Sequence, residues 1–203
     1  ALPSHSEAFN SIIDAIMHTG HKKTIDVDLG IDSASSSFFE NASYHLKKEN
    51  KTLSSKELME YYIDLKTEYG ILSFEDPFAE DDWNGFISFT EKVEKETLVI
   101  GDDLYTTNTE RIQKGIENHA TNAVLIKPNQ IGTLKETVEA INLTQKNYLK
   151  VIISHRSGET EDSFIADLAV ACGADFLKSG SASRSERLAK YTRLIEIEKL
   201  EFS

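Results

Sequence analysis

The feature that most limits what this chain can fold into is a repeated change of character along it. A short apolar run ends in one ionisable residue, a turn follows, and a helical pattern begins. The runs end at Asp32, Glu75, Asp102, Lys127, His155 and Lys178, so successive gaps are 43, 27, 25, 28 and 23 residues. Strand-like runs alternating with helices are βα units, and such units build a parallel sheet because each crossover returns the chain to the same edge direction. The spacing matches the roughly 30 residues per unit of an eightfold β/α barrel of about 250 residues. The longest gap contains SASSSFFENASYHLKKENKT, which is rich in Ser, Asn and Lys and is expected to be a lid-like excursion too polar for the core.

The same reading predicts helices over residues 6–19, 54–70, 82–96, 160–172 and from 183 onward, with others capped near Asn108 and boxed by Thr133 and Glu136. Ser54 with Glu57 and Ser183 with Glu186 have the spacing of capping boxes. Phe9, Ile12, Ile13, Ile16 and Met17 form the apolar stripe of the first helix. Strands are predicted over residues 24–32, 71–74, 97–101, 123–126, 151–153 and 174–177.

Side chains two residues apart on a strand share a face. Counting back from each strand-end residue gives Asp28-Gly30-Asp32, Ile71-Ser73-Glu75, Leu98-Ile100-Asp102, Ala123-Leu125-Lys127, Val151-Ile153-His155 and Ala174-Phe176-Lys178. The residues between them are mostly apolar, as expected for a face covered by helices. All six ionisable groups are therefore predicted to point into a barrel at one end, where βα barrels keep their active sites.

Three carboxylates, Asp32, Glu75 and Asp102, come from consecutive strand ends and suit a hard cation with oxygen ligands, magnesium being the expected one. Lys127 and Lys178 follow on later strands. A partly dehydrated lysine near a cation and a second ammonium can serve as a base. Removal of a proton alpha to a carboxylate fits these parts, because a metal can offset charge on the enolate; the alternative is a lysine–acid salt bridge. Ser154, His155, Arg156 and Ser157 fill the loop after the fifth of these strands, close to a helix start, and offer hydroxyl, imidazole and guanidinium groups suited to phosphate. His5, His18, His21, His45 and His119 are read as surface residues.

The net charge of −12 argues against nucleic acid or an anionic membrane as the main partner. No apolar run reaches the roughly 18 residues of a membrane span. The single Cys172 fits a reducing, cytoplasmic compartment and is expected to be a buried small hydrophobe. The opening ALPSHSEAFN lacks both a starting Met and a signal pattern.

The segments SHRSGETEDSFIADLAV, SFEDPFAEDDW, GDDLYTTN, LIKPNQIGTLKE and SASRSERLAKY resemble enolase, the phosphopyruvate hydratase family, in family order from about Gly20 to Glu198. The resemblance implies that residues 1–203 are six βα units of an enolase-type TIM barrel with mostly parallel strands, without the capping domain and first two barrel strands. It implies magnesium-dependent dehydration of 2-phosphoglycerate to phosphoenolpyruvate by the complete protein, a glycolytic lyase of the cytoplasm and commonly a homodimer. Lys127 matches the family's general base, and Asp32, Glu75 and Asp102 its metal ligands, with Glu75 and Asp102 also near substrate. Lys178 matches the lysine facing the substrate carboxylate. Ser154, His155, Arg156 and Ser157 match its substrate-binding loop, Arg156 and Ser157 at phosphate. The family's general acid lies in a GDEGG-type motif that these 203 residues do not contain. The chain is accordingly expected to be part of a longer enolase; the alternative is a stand-alone binding or structural module without catalysis.

Overall fold

The parallel strands expected from the βα pattern are present in both units into which the chain divides. The computed structural model describes residue 2, residues 4–93 and residues 95–201. One unit runs to Leu104 and includes His119–Thr121; the other comprises Tyr105–Asn118 and the chain from Asn122.

The first unit opens with helix α1 (His5–His18), where the Ser4 hydroxyl accepts the Glu7 N–H. Of its predicted stripe Phe9 and Ile16 are buried, while Ile12 and Met17 are exposed. Strand β1 (Leu29–Asp32) is shorter than the predicted 24–32. Residues 22–27 form a turn instead, because the Asp26 carboxylate accepts the Lys22 N–H at 2.8 Å and the Lys22 carbonyl accepts the Asp26 N–H. Such a local bond competes with strand pairing.

The polar excursion is ordered: most of it is exposed, as expected, but Ser35, Tyr44 and Leu46 are buried. A short 3-10 turn (Ser35–Phe38) leads into β2 (Phe39–Glu40), β3 (Ser43–Leu46) and β4 (Lys51–Leu53), an antiparallel sheet in the order β2-β3-β4. Tyr44 and Leu46 alternate onto the buried face of β3. The Tyr44 ring meets Phe38, Phe39 and Phe78, and its hydroxyl donates to Asp82 Oδ2 at 2.7 Å while accepting the Ala79 N–H. Two well-placed apolar residues in a polar segment are enough to anchor it, since strand burial depends on alternate positions rather than mean composition.

Helix α2 (Ser55–Tyr69) has the predicted Ser54–Glu57 capping box and ends at Gly70, whose φ of 60° is left-handed. It buries Leu58, Tyr62, Leu65 and Tyr69 at steps of three and four. Strand β5 (Ile71–Glu75), helix α3 (Trp83–Val93) and strand β6 (Leu98–Gly101) complete this unit. The α3 prediction reached residue 96, and Glu94 within it lies outside the described residues. Tyr62, Phe74, Phe78, Phe86 and Phe89 form one ring cluster. Burying a phenylalanine stabilises a fold by roughly 2–3 kcal/mol, so this cluster ties α2 and α3 firmly to β5 through Phe74.

The second unit begins with α4 (Thr109–Glu117), capped by Asn108 as predicted. Strand β7 (Ala123–Ile126), the single turn α5 (Pro128–Ile131), α6 (Leu134–Lys146), β8 (Lys150–Ser154), α7 (Phe164–Ala171), β9 (Phe176–Lys178) and α8 (Ser185–Glu201) follow. Its parallel strands are ordered β7-β8-β9. All of β7 and residues 151–154 of β8 are buried, the pattern of strands covered on both faces. Helix α7 starts four residues later than predicted because Asp162 Oδ1 accepts the Phe164 N–H and Thr160 Oγ1 the Asp162 N–H. Before α8, the Ser183 hydroxyl meets Ser181 Oγ at 2.7 Å instead of forming the predicted box. Cys172 is half-buried at the end of α7 rather than enclosed.

Candidate functional site

In the first unit the register places carboxylates side by side. Asp32 pairs with Glu75 across β1 and β5, and Glu75 pairs with Ile100 across β5 and β6. Residues paired in parallel strands share a face, so Asp102, two positions after Ile100, continues the same row just past the strand end. Glu75 and Asp102 are buried, whereas Asp32 is exposed.

Two further acids, Asp76 and Asp103, belong here. Asp76, Asp102 and Asp103 offer oxygens within 4.8 Å of one another, a grouping able to hold a metal ion. Asp76 also organises its neighbours: Oδ1 accepts the Asp102 N–H at 2.9 Å and Oδ2 the Asp103 N–H at 2.7 Å. Its own N–H donates to the Ile100 carbonyl, and its φ is 41°. Burial pushes the Asp76 carboxyl up to about 7, against the pull of the two N–H donors. With both oxygens engaged by backbone, Asp76 fits the role of a brace under the Asp102 turn better than that of a ligand. The signal for it was present in the acidic doublets Glu75-Asp76 and Asp102-Asp103 at consecutive strand ends. The all-oxygen set of Asp32, Glu75 and Asp102 suits a hard divalent cation.

In the second unit Lys127 follows β7 and caps the short α5. Its N–H donates to the buried Thr107 Oγ1 at 2.9 Å, and Thr107 in turn donates to Gln130 Oε1. Ile152 pairs with Leu125 on one side and Phe176 on the other, and Ser154 pairs with Lys178. The shared face in β8 is therefore Lys150-Ile152-Ser154, not the predicted Val151-Ile153-His155. Ser154 occupies the strand-end row that also contains Lys178 and, continuing the alternation from Leu125, Lys127. The predicted face is off by one residue because register is set by pairing with β7 and β9, which puts Ile152 opposite Leu125 and Ser154, not His155, opposite Lys178.

His155 remains close to these groups. Its N–H donates to the Lys178 carbonyl at 2.9 Å, its ring Nδ1 meets Arg187 Nη1, and the ring feels the charges of Lys178, Glu159 and Lys127. Burial, then the positive charges of Arg187 and Lys178, lowers its pKa below the ordinary histidine range. Arg156 and Ser157 are exposed, with Arg156 Nη1 donating to Asn129 Oδ1. Of the histidines read as surface residues, His5 and His45 are half-buried. His5 Nδ1 lies 2.8 Å from the Tyr61 hydroxyl.

Comparison with known proteins agrees with the folded pattern. Residues 1–201 match the family model described as "Enolase, C-terminal TIM barrel domain". The chain belongs to the enolase family. It is 51% identical over 196 residues to an enolase of Ehrlichia chaffeensis, covering 97% of this chain and 46% of that protein. An Ehrlichia ruminantium enolase is 50% identical over 199 residues, covering 98% and 47%, and a Nitratiruptor enolase is 46% identical over 196 residues, covering 97% and 47%. The chain thus spans about half the length of the curated enolases it matches. The resemblance in sequence and the six parallel βα strands therefore agree on an enolase barrel portion. Among the described residues no helix is long and apolar enough to cross a membrane.

Proposed function

We propose that the protein containing this chain dehydrates 2-phosphoglycerate to phosphoenolpyruvate. The observation that carries the reading is the Asp32–Glu75 pair, followed in the same row by Asp102, at the C-terminal ends of consecutive parallel strands in an enolase-family chain. These three carboxylates would hold magnesium, which when bound would offset negative charge developing on the substrate carboxylate. Lys127 accepts the proton alpha to that carboxylate. Lys178, in the row with Ser154, pairs with the substrate carboxylate. Arg156 and Ser157 are exposed donors that take the phosphate, with His155 and Ser154 lining the approach. The departing hydroxyl needs a proton from the GDEGG-type acid, so the activity is assigned to the whole protein, which we expect to be a cytoplasmic homodimer.

The test separates the base from the rest of the site. In full-length protein supplied with magnesium, Lys127→Ala should abolish exchange of the substrate's alpha proton with deuterated water while leaving substrate binding measurable. Wild-type exchange by that variant would refute the base assignment, and a wild-type protein that forms no phosphoenolpyruvate would refute the activity.

A further inference from the structure

The reaction as described makes no use of two cations on α8, Arg187 and Lys190. They lie three residues apart and so face the same way. Arg187 Nη1 donates to the Arg156 carbonyl at 2.9 Å and Nη2 to the Ser157 carbonyl at 3.0 Å, and Nη1 also meets His155 Nδ1. Lys190 is 1% exposed; its Nζ donates to the Thr160 carbonyl at 2.5 Å and the Glu186 carbonyl at 2.8 Å, with Glu159 Oε2 at 3.5 Å. One helical turn thus grips His155, Arg156, Ser157, Glu159 and Thr160. This stretch contains no helix or strand of its own.

The contact with His155 restricts its chemistry. A guanidinium has donors only, so Nδ1 must accept. Neutral imidazole carries one proton, which then resides on Nε2. Arg187 from α8, Lys178 from β9 and Lys127 after β7 all oppose a second proton, while Glu159 in the same loop favours it. Burial and the three cations prevail, in agreement with the geometry.

We propose that Arg187 is a positioning residue which, with Lys190, holds the loop of residues 155–160 ready for an anionic substrate group and fixes His155 as a neutral Nε2–H donor. The inference rests on the reading that this loop binds the phosphate-bearing substrate. Its physical basis is preorganisation: a loop whose carbonyls are already bound need not be ordered at the moment of binding. The guanidinium's forked geometry matters as well as its charge, because lysine cannot reach two carbonyls and an imidazole in one plane.

Two measurements on the full-length protein test it. Long-range proton–nitrogen NMR of ¹⁵N-histidine-labelled wild type at pH 7, with His155 assigned by comparison with His155→Gln, should show a neutral ring protonated on Nε2. A proton on Nδ1, or a doubly protonated ring, overturns the proposal. Arg187→Gln should raise KM for 2-phosphoglycerate about tenfold or more with a smaller change in kcat, and should release the ring to a tautomer mixture. Tenfold corresponds to about 1.4 kcal/mol, close to the lower end of the roughly 1.5–3 kcal/mol for a hydrogen bond to a charged group. Arg187→Lys should rescue little of this. An unchanged KM in Arg187→Gln, or full rescue by lysine, also overturns it. The wild-type tautomer decides the question even where a variant does not fold. A wild type with the Nε2–H ring but no dehydratase activity would refute the functional reading while leaving the clasp intact.

Discussion

Replacing Asp76 with asparagine separates the electrostatic load on the acidic strand ends from their hydrogen bonding. The carboxyl is 3% exposed and accepts two backbone N–H groups. Burial raises it from 3.8 to about 7. Between those values the native protein keeps a proton that the unfolded chain has released, so stability falls as pH rises through the window. The contribution is complete below about 3.8 and lost above about 7. At about 1.4 kcal/mol per pH unit the rise amounts to roughly 4 kcal/mol. Asparagine does not titrate, so this slope should disappear. Its carbonyl can still accept one N–H, but its amide would face the other donor, a loss of about 1–3 kcal/mol at every pH. The two effects have opposite signs above neutrality. Urea unfolding of the full-length protein in magnesium-free buffer should find the variant less stable than wild type at pH 4.5 and equal or more stable at pH 8. A constant difference between the two proteins from pH 4.5 to 8 would refute the burial argument.

Two structural substitutions test the packing that supports the site. An alanine Cβ at Gly115 would overlap the hydroxyl end of Tyr105, which is fully buried against α4. Gly115→Ala should destabilise by about 1–3 kcal/mol through overpacking, seen as a lowered thermal midpoint; an unchanged midpoint would mean that Tyr105 can move aside freely. Ser54→Ala removes the hydroxyl that accepts the Glu57 N–H at the start of α2. It should cost about 1 kcal/mol in urea unfolding, and a value near zero would show that the box adds nothing beyond solvation.

Features governed by neighbouring residues were the most legible. The Ser54–Glu57 box, the Asn108 cap, the Thr133 cap and the Gly70 terminus all occur where sequence spacing places them. Each depends on bonds spanning only a few residues. Misreadings arose where a local bond or a distant partner prevailed. Asp26 wound residues 22–27 into a turn and shortened β1, and Asp162 delayed α7. Tyr44 anchors an otherwise mostly exposed segment because its ring meets Phe38, Phe39 and Phe78, which average composition does not register.

The candidate site divides in the same way. Alternation along β1, β5 and β6 was sufficient to align Asp32, Glu75 and Asp102, since the period of two is a property of a single strand. In β8 the alternation pointed one residue too far, and only pairing with β9 established that Ser154 is the partner of Lys178. Asp76 was visible as an acidic neighbour, but its grip on the Asp102 and Asp103 amides required β5 and β6 to be side by side.

The sequence alone determined the βα order, the parallel class and the residue types available at each strand end, because these follow from local periodicity and from motifs shared with enolases. Only the tertiary structure decided which of those groups are braced and by what. Arg187 and Lys190 hold loop residues about 30 positions away, and no periodicity in the chain encodes a contact of that length. It exists because α8, packed against α7, brings its two cations within reach of the Arg156, Ser157 and Thr160 carbonyls.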